Sequence, residues 1–206
     1  MDTLAHTLPR DMPLPVQRRL FTADDLERMT REGIIAEGER VELIGGEIVA
    51  MAAKGNRHEI VRSKLTYYWT RTAPGDVMVF GETPLRHSPR EQPEPDVIVY
   101  PMALALPDVR GDNVHLVVEV ADGSLGYDLG IKSLLYAAYG VREYWVIDVD
   151  KLETHIHRAP ADGKYALVTK HTADEILTPI AVPALATSLA GLGFGWRDDV
   201  DDGAPA

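Results

Sequence analysis

Apolar positions recur along the chain with two periods, and their order predicts a mixed fold. In "TADDLERM", Thr22 is followed three residues later by Asp25, a capping box that opens a short helix. "RVELIGGEIVAM" holds two apolar runs split by Gly45-Gly46, which predicts a hairpin. "RHEIVRSKLTYYWTRT" sets Ile60, Leu65, Tyr68 and Trp69 at roughly helical spacing, so a helix is expected from about His58 to Arg71, ended by Pro74-Gly75. Three strands follow, in "DVMVFGETPLRH", "PDVIVY" and "HLVVEV". "DLGIKSLLYAAYG" predicts a helix from Asp128, stopped by Gly140, with Ile131, Leu134, Leu135 and Ala138 on its apolar face. "REYWVIDV", "LETHIHR" and "YALVTKH" read as strands, and the Pro-broken close as a short strand with an irregular return. Tyr144 and Trp145 alternate faces of a core strand. The order is that of an α+β domain, a central mixed sheet flanked by helices with an N-terminal β-hairpin.

Composition narrows the class. The chain has 206 residues, 45% hydrophobic and 26% charged, enough for one sizeable core. One domain is expected over residues 19–196, between a loosely held arm (1–18) and an acidic tail (197–206). No apolar run reaches the length of a membrane span, and no signal-peptide pattern opens the chain. The absence of Cys removes disulfides, thiolate nucleophiles and Cys-based zinc sites, and a cytoplasmic location is expected. The net charge of −11 argues against tight nonspecific nucleic-acid binding, which rests on many Lys and Arg contacts to phosphate.

Three positions break the apolar pattern. Asp96 opens the strand "PDVIVY"; taken alone it is a turn residue at a strand start. Glu119 lies inside Leu-Val-Val-Glu-Val, where alternation groups it with Val117 and Ala121 on one face. A carboxylate there needs a partner, as a buried ion pair or at a sheet edge. Lys132 falls four residues after Asp128 and four before Tyr136, at the border of the buried helix face. It forms either a surface pair with Asp128 or turns back to the sheet. Together they suggest a phosphodiester-hydrolysing site. Two carboxylates on neighbouring strands suit Mg²⁺ or Mn²⁺, and a lysine can orient or deprotonate water or stabilise charge on phosphorus.

"PEPDVIVY" followed by "LVVEVADGSLGYDLGIKSLLYAAYGVREYWVID" resembles the bacterial Uma-two family of endonucleases, a former domain of unknown function. "RVELIGGEIVAM" and "RHEIVRSKL" extend the resemblance over about residues 20 to 195. It implies the restriction-endonuclease-like, PD-(D/E)XK fold. It also implies that Asp96 and Glu119 take the places of the superfamily's two acids. The superfamily's usual lysine position, two residues after the second acid, is Ala121 here. Lys132 then supplies the lysine from the next helix, and the Val120 carbonyl a further metal ligand. Glu42 and His58 also fall on family signatures. Glu42 is either another acid beside the metal or a polar residue of a half-exposed hairpin.

The expected activity is metal-dependent cleavage of DNA, by a two-fold dimer on grounds of symmetry and fold analogy. Two rivals stand beside it: a nuclease-derived binding module without catalysis, and a hydrolase of small phosphate esters. His155 and His157 share a strand face without an obvious third ligand, so an exposed strand is the simpler expectation there.

Overall fold

The computed structural model describes residues 18–51 and 53–194. The expected tail, and all of the expected arm except Arg18, lie outside the described residues.

Helix α1 (Ala23–Arg31) starts as its sequence dictates: the Thr22 hydroxyl accepts from Asp25 N and the Asp25 carboxylate from Thr22 N. Strands β1 (Val41–Ile44) and β2 (Glu47–Ala50) form the hairpin, with both turn glycines at positive φ. Leu43 bridges Gln92 through two backbone hydrogen bonds. That clip fastens the hairpin to the segment leading into Asp96. Ala23, Leu26, Ile35 and Leu43 form a small core beneath it.

The larger sheet has the order β3-β4-β5-β6-β7-β8: Val77–Gly81, Val97–Pro101, Leu116–Ala121, Glu143–Asp148, Glu153–Ala161 and Lys164–His171. Only β5 and β6 run parallel; every other neighbouring pair in it is antiparallel. The crossover between β5 and β6 carries a helical segment, residues 125–138, as a parallel pair requires.

One face of the sheet packs on helix α2 (Asn56–Thr72), where Val61, Leu65 and Trp69 meet Leu116, Val118, Val120 and Trp145. The Trp69 and Trp145 rings meet edge-on at 5.8 Å, and Trp69 Nε1 donates to the Leu185 carbonyl. The buried positions of α2 are His58, Val61, Leu65 and Trp69, whereas Ile60 and Tyr68 of the expected pattern are exposed. The opposite sheet face gathers Ile98, Val117, Ala121, Tyr136, Tyr144 and Val146. Tyr144 and Trp145 therefore do separate onto opposite faces. The chain's close, in place of a full strand, makes one bridge, Leu177–Thr187, and two 3₁₀ turns.

The helix expected from Asp128 differs in an informative way. It begins three residues earlier as α3 (Leu125–Tyr127), passes through a π-helical turn (Asp128–Lys132) and continues as α4 (Ser133–Ala138). The wide turn shifts the helical phase, so Asp128, Lys132, Tyr136 and Ala137 face inward. Ile131 and Leu134, expected in the apolar face, are exposed.

The expectation of an exposed strand around His155 and His157 is also corrected. β8 covers β7, and the buried His157 ring packs against Tyr144 and Tyr165.

Candidate functional site

The register of the sheet builds the site. Val97 pairs with Val118, so one further step along these antiparallel strands sets Asp96 opposite Glu119. Directly opposed residues share a face, with Cβ atoms ~5 Å apart. Gly81 likewise pairs with Val97, which sets Glu82 opposite Asp96. Glu82 and Asp96, just beyond the ends of β3 and β4, thus stand beside Glu119 of β5.

Asp96 is held from three sides. Its Oδ2 accepts from Val120 N at 2.8 Å and lies 3.0 Å from His58 Nε2, while Oδ1 accepts from Lys54 Nζ at 2.6 Å. Burial opposes its ionisation, but the His58 hydrogen bond and the His58 and Lys54 charges outweigh that and keep the carboxyl well below the usual range.

Glu119 Oε1 accepts from Lys132 Nζ and from the Tyr136 hydroxyl, both at 2.9 Å. Lys132 lies also 3.0 Å from Glu42 Oε1 and 3.9 Å from Asp128 Oδ1. The ammonium is therefore no surface lysine: it sits within a ring of three carboxylates. Burial alone would lower its pKa; Glu119, Glu42 and Asp128 outweigh it and hold the group charged. Glu119 is pushed the other way from Asp96. Complete burial raises it most, Lys132 opposes, and the charges of Asp96, Asp128 and Glu42 add to the rise. Burial likewise raises Asp128, against Lys132 and the Ser124 hydroxyl that donates to it.

Every residue expected in the site comes to one pocket of about 280 Å³, whose lining includes Glu42, His58, Asp96, Glu119, Val120 and Lys132. Glu42 is buried, not half-exposed: Glu94 N donates to its Oε1, fixing it by the hairpin clip. Lys54, Asp128, Tyr127 and Tyr136 escaped the sequence reading as members of the site. Lys54 lies in the loop before α2 and meets its partner 42 residues away, which no local pattern announces. The phase shift of the π turn hid the inward direction of Tyr136 and Asp128.

The donor set fits a hard divalent cation. Among the described residues, Glu42, Asp96, Glu119 and Asp128 are buried carboxylates facing two ammonium groups in the pocket, Lys54 and Lys132. Burial is the main cause of the raised proton affinity of Glu119, and the neighbouring acid charges add to it. No group of three His, Cys, Asp or Glu side chains among the described residues forms a ready-made cage. Mg²⁺ does not require one, since it commonly takes one or two carboxylates and completes its shell with water and substrate phosphate.

Residues 23–190 match the family model Uma2, described as "Putative restriction endonuclease". The chain belongs to the Uma2 family. Among solved structures, it is similar to "a putative nuclease belonging to DUF820 from Anabaena variabilis ATCC 29413". The TM-score is 0.66 at 14% identity, over 84% of this chain and 97% of that one. The likeness identifies the architecture of this Uma2 member as the restriction-endonuclease-like fold. No curated protein matches the chain. No helix among the described residues is long and apolar enough to cross a membrane.

Proposed function

We propose that this Uma2 protein is a metal-dependent endonuclease that hydrolyses phosphodiester bonds in DNA. The observation that carries the proposal is the pairing of Asp96 and Glu119 on adjacent strands in one pocket, with Lys132 on Glu119. Asp96, Glu119 and the Val120 carbonyl would hold Mg²⁺ or Mn²⁺, which when bound polarises a phosphoryl oxygen and acidifies a water.

The chain's own groups do the rest. Val120 N, His58 and Lys54 fix the Asp96 carboxylate, and Tyr136 and Lys132 fix that of Glu119. Lys132, held charged by three acids, serves as a cation beside the negative charge that builds on phosphorus, not as a base. A two-fold dimer would present one such pocket to each strand of a duplex.

Supercoiled plasmid incubated with the protein tests this. Nicking and linearisation in Mg²⁺ or Mn²⁺, stopped by EDTA and absent in Asp96→Asn, are expected. A folded wild-type protein that leaves plasmid intact in both metals would favour a binding module built on a nuclease fold.

A further inference from the structure

Lys54 has a place in the site that its loop position does not foretell. Its Nζ lies 2.6 Å from Asp96 Oδ1 and 2.7 Å from Glu82 Oε1, bridging two acids that the register sets side by side. The side chain is mostly buried, so this is a specific contact and not a solvated surface pair. Asp96 Oδ2 is already taken by Val120 N and His58. Oδ1, the oxygen that Lys54 holds, is the one left to meet a cation.

Glu82 is built to receive the lysine. It follows β3 at φ 49°, a left-handed backbone that a non-glycine residue adopts at some cost. Its carboxylate is also approached by Arg62 Nη2 at 3.4 Å and Arg40 Nη2 at 3.8 Å. Those guanidinium groups keep Glu82 in place whether or not Lys54 also rests on Asp96. Next to Lys54, a Cβ on Gly55 would run into the Asp122 carboxylate, which would have to shift to admit it.

We infer that Lys54 is a displaceable internal counter-ion. Its ammonium and a divalent cation compete for Asp96 Oδ1, and metal entry moves Lys54 wholly onto Glu82. This rests on Asp96 being a metal ligand, as proposed above. Lys54 would thereby keep Asp96 neutralised before the metal arrives and would set how tightly the metal is held.

Calorimetric titration of the full chain with MnCl₂ tests the inference, with the metal-free melting temperature of each variant recorded alongside. Removing a competing charge in contact with one ligand is expected to tighten Mn²⁺ binding by about tenfold in Lys54→Met. Lys54→Arg, which keeps a cation able to reach Asp96, is expected to stay near the wild-type affinity and guards against a folding defect in the Met variant. Arg57→Met controls for the general field, because Arg57 pairs instead with Asp122 and Asp150. Its affinity is expected to stay within about twofold of wild type. Lys54→Met that binds Mn²⁺ no more tightly than wild type, while Asp96→Asn loses binding, overturns the inference. The same holds if Arg57→Met tightens binding as much as Lys54→Met. Asp96→Asn that binds as well as wild type overturns the metal-site proposal itself.

Discussion

Lys132 Nζ lies 2.9 Å from Glu119 Oε1, joining the π-helical turn to the middle of a buried strand. The same ammonium reaches Glu42 on the hairpin, so one charge ties three elements together. Lys132→Met would leave Glu42, Glu119 and Asp128 buried without it. A loss of ~3–5 kcal/mol in folding stability is expected, the usual cost of stranding a buried charge. Urea denaturation at pH 7 measures it. The loss should shrink on acidification, as the stranded acids take up protons and the uncompensated charge disappears.

His58, buried in the first turn of α2, touches Asp96 Oδ2. His58→Leu is expected to weaken Mn²⁺ binding by roughly 10- to 100-fold, because Asp96 would lose one of the groups that orient it. The far-ultraviolet circular dichroism should be unchanged. Calorimetry on the variant checks the affinity.

The phase of the π turn gives a third prediction. Leu134 is exposed although it is apolar, so Leu134→Gln should change stability by less than about 0.5 kcal/mol. Tyr136 is fully buried and donates to Glu119, so Tyr136→Ala should cost ~3–5 kcal/mol. A regular α-helix with the expected apolar face would make Leu134→Gln costly. Chemical denaturation of the two variants distinguishes the cases.

His87 stacks on Tyr139 at 4.7 Å, and neither of its ring nitrogens has a hydrogen-bond partner among the described residues. Burial, assisted by the Arg110 charge, pushes its pKa down to about 4. The unfolded chain therefore binds a proton between pH 6.5 and 4 that the folded protein refuses. His87 accordingly lowers stability as pH falls through that window, by about 3 kcal/mol in all. Above pH 6.5 both states are neutral and the effect vanishes. Urea midpoints at pH 7 and pH 5 should separate less in His87→Phe than in wild type.

Much of this was legible in the chain. Thr22 and Asp25 announce their helix because both halves of the capping box are local, and Gly45-Gly46 announces the hairpin for the same reason. Alternation along Leu116–Ala121 correctly set Glu119 apart from Val118 and Val120, because strand periodicity survives burial on both faces. The helical segment after β5 failed this test. Periodicity assumes 3.6 residues per turn, and one π turn moved Ile131 and Leu134 outward and Lys132 inward. Lys54 was illegible for another reason: its meaning comes from the strand register that brings Glu82 beside Asp96. His157 read as exposed because its cover, Tyr165, lies on a separate strand.

Phosphodiester cleavage in the Asp96–Glu119 pocket, as proposed, depends on the Glu119 carboxylate. The most direct measurement is the rate of plasmid nicking in Mn²⁺ by Glu119→Gln against wild type, with both proteins confirmed folded by thermal unfolding. Wild-type nicking and a loss of about 100-fold or more in the variant are expected, comparable to removing a group that acts on the transition state. Equal rates in the two proteins would contradict that dependence.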